Sequence, residues 1–200
     1  MLRRVWIRVA LAAGAGLASL AVCSVAFVTI SMLVFSIASS MWDFFGMFGS
    51  STLNPMLALL GIGFVLLLAA ASLLLPALAL GAKGGHLTRS ALLSGLGFCA
   101  FVFFLFGSAG EVALVLFATA ALVATPAIGS LVAVREEGPL AVRLGRATMI
   151  AAVAIYCASL LVAWSGYGDQ EGLPYSYAPV IVASSSWLIL PAMVALLHPD

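Results

Sequence analysis

The sequence predicts an all-α integral membrane protein, a bundle of six transmembrane helices with both termini in the cytoplasm. Three observations lead there. Hydrophobic residues make up 64% of the 200 and charged residues only 8%, where a soluble domain is about 45–50% apolar and about 25% charged. The apolar residues fall into six long runs at 9–37, 55–80, 90–106, 112–134, 147–164 and 178–197, which treat 1–200 as a single transmembrane domain. The basic residues all fall on one side of the membrane when those runs are threaded in order. With a mean hydropathy of +1.25, no water-soluble fold of this size could hide its apolar side chains. The same composition excludes a nucleic-acid binder, a disordered chain and a disulfide-stapled secreted domain.

A spanning helix needs about 20 apolar residues, because the hydrocarbon core is about 30 Å thick. The first run is over-long for one crossing. Either it tilts, or its outer end, 36–48, lies along the surface with Trp42, Phe44, Phe45 and Phe48 at the interface. Arg3-Arg4-Val5-Trp6-Ile7-Arg8 ahead of it resembles a twin-arginine export signal, and Leu20-Ala21-Val22-Cys23 a lipoprotein cleavage box. Val22 is not the small residue that such a box needs, and five more runs follow, so an uncleaved first helix is expected. Glycines, serines and prolines punctuate the loops between runs: Gly46, Gly49 and Ser50, then Gly84-Gly85, Gly107 and Gly110, Gly138-Pro139, and Gly166, Gly168, Gly172 and Pro174. The last outer loop is ringed by Trp164, Tyr167, Tyr175 and Tyr177, as amphipathic rings prefer.

With the N-terminus inside, Arg3, Arg4, Arg8, Lys83, Arg89, Arg135, Arg143 and Arg146 are all cytoplasmic, and these are the 8 basic residues of the chain. The outer loops hold Asp43, Glu111, Asp169 and Glu171 and no base. A wrong number of spans would scatter the bases over both sides. The excess of arginine over the single lysine suggests a GC-rich bacterial genome, and hence a bacterial cytoplasmic membrane, the cell inner membrane.

A threefold hairpin repeat is legible. Arg8, Arg89 and Arg146 each open an inward-starting helix, with small residues five, six and eight places later. The returning helices carry Pro76-Ala77, Pro126-Ala127 and Pro191-Ala192, each preceded at one offset by a small triplet: Ala69 to Ala71, Thr119 to Ala121, Ser184 to Ser186. An Ala-rich membrane chain also produces such triplets by composition alone. Pro76, Pro126 and Pro191 are candidate helix kinks, because each removes a backbone N–H from its helix. Thr125 or Ser72 could serve a carbonyl freed in this way. Three kinks at one depth would shape a cytoplasmic vestibule, or only improve packing. Mitochondrial carriers are also built of three hairpins, but their signature places an acid two residues after the proline, and here aliphatics stand there.

Little in the chain points to catalysis. No ionisable residue falls at mid-span, so a proton- or sodium-driven mechanism is not expected. Glu111 reads as a favourable charge at the start of the fourth helix. Glu136-Glu137 resembles the paired glutamates of CAAX-type intramembrane proteases, but Ala141 stands where those need arginine, and the one later histidine, His198, lies outside the membrane core. A joint site of His86, His198, Glu136, Glu137 and Asp200 has no motif spacing behind it. Cys23, Cys99 and Cys157 suit small apolar positions better than a copper(I) site. No metal, cofactor or catalytic residue is therefore expected, and the chain is read as a non-enzyme.

The expected function is that of a non-catalytic accessory or scaffold subunit, working through helix–helix contacts within the lipid bilayer and with other membrane proteins. The alternative is a small permease or channel for a neutral or apolar solute. Its candidate polar path is Thr119, Tyr156, Ser184, Ser185 and Ser186.

Overall fold

The computed structural model of the chain describes residues 2–46, 74–107, 112–134, 137–166 and 178–198, and every regular element among them is helical. Helix α1 is Leu2–Gly46, α2 occupies 74–79, α3 is Gly85–Gly107, α4 Val112–Ala133, α5 Pro139–Gly166, α6 Ala178–Ser184 and α7 Ser186–Leu197. Four stretches among the described residues are long and apolar enough to cross a membrane: Leu2–Ala26, Ala113–Ala133, Pro139–Ser165 and Ala178–Leu197. Most of the expected second span lies outside the described residues, as do Ser72, Glu111, Arg135, Glu136, Asp200 and the aromatic loops at 47–54 and 167–177.

Local chemistry sets the helix ends. Helix α2 closes where Gly81 takes φ 84°, a left-handed conformation that suits a residue without Cβ. The Ala82 N–H then donates to the Ala77 carbonyl at 2.9 Å and the Gly81 N–H to the Leu78 carbonyl at 2.9 Å, so the last carbonyls of the helix are satisfied in a Schellman arrangement. Gly84 follows at once, and its carbonyl accepts from the Leu87 and Thr88 N–H groups to start α3. Pro139 opens α5, a position where the missing N–H costs nothing. Helix α5 begins eight residues before the span expected at 147, because the charges of Arg143 and Arg146 limit the apolar run but not the helix. Likewise α1 runs on unbroken for 45 residues, about 68 Å at 1.5 Å per residue, well beyond one bilayer core.

The span expected at 178–197 is one apolar stretch, divided into α6 and α7 by a single tightened step at Ser185, whose backbone stays in the right-handed helical region. At Ser185 the backbone tightens: its N–H donates to the Val182 carbonyl at 3.1 Å, and the Leu188 N–H to the Ser185 carbonyl at 3.1 Å, both three residues apart. Two serine hydroxyls bond back to the chain at this step. Ser184 Oγ donates to the Val180 carbonyl at 2.7 Å and Ser185 Oγ to the Val182 carbonyl at 2.5 Å, competing with the helical ladder for its acceptors.

Helix α4 is central and packs against α3, α5, α6 and α7, while α1 packs mainly on α7. One core cluster joins Cys23 of α1, Phe101 of α3, Leu122 and Val123 of α4, Ala152 of α5 and Trp187 and Leu190 of α7. A second gathers Ala12, Ala77, Leu80, Ala82, Ala133, Leu144, Val194 and Ala195. It therefore brings together the start of α1, the α2–α3 turn, the end of α4, the start of α5 and the end of α7. Arg8, Lys83, Arg89, Arg143, Arg146 and His198 are all within a few residues of its members, at that same end of the bundle.

Candidate functional site

Lipid gives helices no hydrophobic reason to associate, so their contacts rest on close packing and on hydrogen bonds between them. Both occur between α3 and α4. Ser90, Ser94 and Gly97 fall on one face of α3, and Thr125 and Gly129 on one face of α4. Ser90 Oγ donates to the Gly129 carbonyl at 2.7 Å, a buried bond between the two helices. A Cβ on Gly129 would collide with Ser94 Oγ, and one on Gly97 would lie 3.4 Å from Thr125 Cα. On the other side of the bundle, a Cβ on Gly16 would run into the Trp187 carbonyl and lie 3.3 Å from Pro191 Cγ. That carbonyl stands four residues before Pro191, so it is the one from which the proline withholds a helical N–H. Close approach of the Gly16 Cα gives it a weak C–H donor in compensation.

A small cavity lies where the proline-bearing segments meet. It is lined by Pro76 of α2, Ser90 and Ser94 of α3, Pro126, Gly129 and Ser130 of α4, and Trp187 of α7. It offers about 10 Å³ to the centre of a water-sized sphere. Ser130 and Trp187 are each only 1% exposed, and neither Ser130 Oγ nor Trp187 Nε1 has a hydrogen-bond partner among the described residues. The Trp187 indole is held edge-on to the Phe98 ring, with centroids 6.3 Å apart and planes at 86°.

Of the candidate kinks, Pro76 and Pro126 line this cavity directly, and Pro191 reaches it through Trp187, one turn earlier. Pro126 and Pro191 lie inside α4 and α7. Thr125 Oγ1 donates at 2.7 Å to the Ala121 carbonyl, the residue before the carbonyl that Pro126 frees on Leu122, so Thr125 does not serve the freed group.

The residues of the candidate polar path form two groups. Thr119 Oγ1 donates to the Leu116 carbonyl at 2.9 Å, and Tyr156 OH reaches the same carbonyl at 3.5 Å from α5. Ser184 and Ser185 turn back onto α6, as described above. Ser186 is fully buried, and its hydroxyl has no partner among the described residues. Cys23 is buried, whereas Cys99 and Cys157 are exposed. Among the described residues no three His, Cys, Asp or Glu side chains gather closely enough to hold a metal ion.

Sequence reasoning missed Ser90, Ser94, Ser130 and Trp187. A signal existed for two of them: Ser130 follows Pro126 by four residues and Trp187 precedes Pro191 by four, each one helical turn from a proline. No family model, curated protein or solved structure matches the chain.

Proposed function

We propose that this chain is a non-catalytic, six-span integral protein of the cell membrane, an accessory or scaffold subunit that works through helix–helix contact with another membrane protein. The reading places both termini in the cytoplasm, and the location that fits is a bacterial inner membrane. The clustering of the basic segments at one end of the bundle supports that orientation.

One observation carries the functional reading. The outer face of α1 presents Leu11, Gly14, Ala18, Ala21, Val25, Val28 and Met32, spaced alternately three and four residues apart, and all are exposed. That is the spacing of a helix–helix seam, and its middle is built of small residues. The inner face of α1 uses the same device within the chain, where Ala12, Gly16, Ser19, Cys23 and Ala26 are buried. The exposed face of α5 is bulkier on the whole, with Val142, Met149, Ile150, Val153 and Leu161 exposed beside the smaller Ala154 and Cys157. Photo-crosslinking from single positions along 11–32 in native membranes tests this. Protein adducts should peak at Gly14, Ala18 and Ala21 and be lost in Gly14→Ile. Labelling of lipid alone at every position would reject the reading.

A second reading, a small permease or channel for a neutral solute, is favoured by the small serine-bearing cavity where the three proline-bearing segments converge. Cysteine placed at Ser185 or Ser130 separates the two. Rapid reaction with a water-soluble maleimide supports transport, and protection supports the packed accessory subunit.

A further inference from the structure

We propose that the cavity between α2, α3, α4 and α7 is a binding site for a single water molecule that joins Ser130 of α4 to Trp187 of α7. Size and polarity agree. About 10 Å³ of space for a water-sized sphere matches one water. A buried water needs two to four polar partners, and the lining supplies them. Trp187 Nε1 can only donate, and it has no acceptor among the described residues. Ser130 Oγ can donate and accept, and it too has no partner among them. Ser90 Oγ spends its proton on the Gly129 carbonyl but keeps its lone pairs, and Ser94 adds another hydroxyl. The water accepts from the indole N–H and exchanges hydrogen bonds with Ser130 and one serine of α3.

No basic side chain lines the cavity, so the lining suits a neutral guest rather than an anion. The alternative to a guest is two buried polar groups left unsatisfied, which is costly in an interior without water. The proposal holds whichever function above is correct, because it concerns only the interior.

Indole-selective ¹⁵N labelling of the full chain in lipid nanodiscs tests it, with Trp187→Phe assigning the resonance. The Trp187 N–H should show cross-relaxation to water, with the sign of dipolar contact to a held molecule rather than of proton exchange. In Ser130→Ala that cross-peak should weaken or vanish and the indole resonance should move, while those of Trp6 and Trp164 stay in place. A Trp187 N–H without contact to water in the unaltered protein would overturn the site. So would an indole resonance and water contact indifferent to Ser130→Ala. Should that variant fail to fold, the unaltered protein alone decides.

Discussion

Beyond Gly16 Cα the space is taken by a backbone carbonyl, which cannot swing aside as a side chain can, whereas nothing lies within 4 Å of a Cβ on Gly14, two residues earlier. The two glycines therefore respond oppositely to the same change. Gly16→Ala should destabilise the fold by about 1–3 kcal/mol through overpacking against α7. Gly14→Ala should be neutral or stabilising by up to about 1 kcal/mol, since alanine is the better helix former. Reversible unfolding in mixed micelles reads both, and equal effects would refute the close contact of α1 with Trp187. Ser90→Ala removes one interhelical hydrogen bond. Its expected cost is modest, about 0.6 kcal/mol, because an unfolded chain in lipid finds other partners for the carbonyl. A loss several times larger would mean that Ser90 also serves the cavity.

At the scale of elements, the helix ends at Gly84, Gly107, Gly138 and Gly166 were legible because a glycine or proline acts through its own backbone, and that information is local. The tightened step at Ser185 falls within three consecutive serines, a local feature that an apolarity criterion cannot see, because a serine competes for helical carbonyls through its hydroxyl and not through its hydropathy. Replacing Ser184 and Ser185 together by alanine should therefore merge α6 and α7. Hydrogen exchange at the Ser185 and Leu188 amides should slow as four-residue bonds replace three-residue ones, and unchanged exchange would show that the hydroxyls do not cause the break. Gly81→Ala probes the α2–α3 turn. Holding alanine in a left-handed conformation should cost about 1–2 kcal/mol, measurable in the same unfolding assay as an effect independent of Gly16.

For the whole molecule, composition alone pointed to long apolar helices, and four stretches among the described residues are long and apolar enough to cross a membrane. The cavity was out of reach for a physical reason. Its lining comes from four elements, and although Ser90, Ser94 and Gly97 mark one face of α3, nothing in a single helix's pattern says which other helices that face will meet. The pairing of α1 with α7 was equally hidden, since neighbours in sequence are the natural first guess for neighbours in space. The orientation makes a direct prediction. Reporters fused after His198 and inserted at Gly84 should both fall on the cytoplasmic side, and opposite sides for the two would refute an even weave between them. The meeting of Gly16 with Trp187 also bears on biogenesis. About 170 residues separate the two positions, which at 5–20 residues per second is about 10–35 s of translation. For that interval the alanine and glycine face of α1 stands unfilled, and α7, made later in the chain, is the helix that closes it.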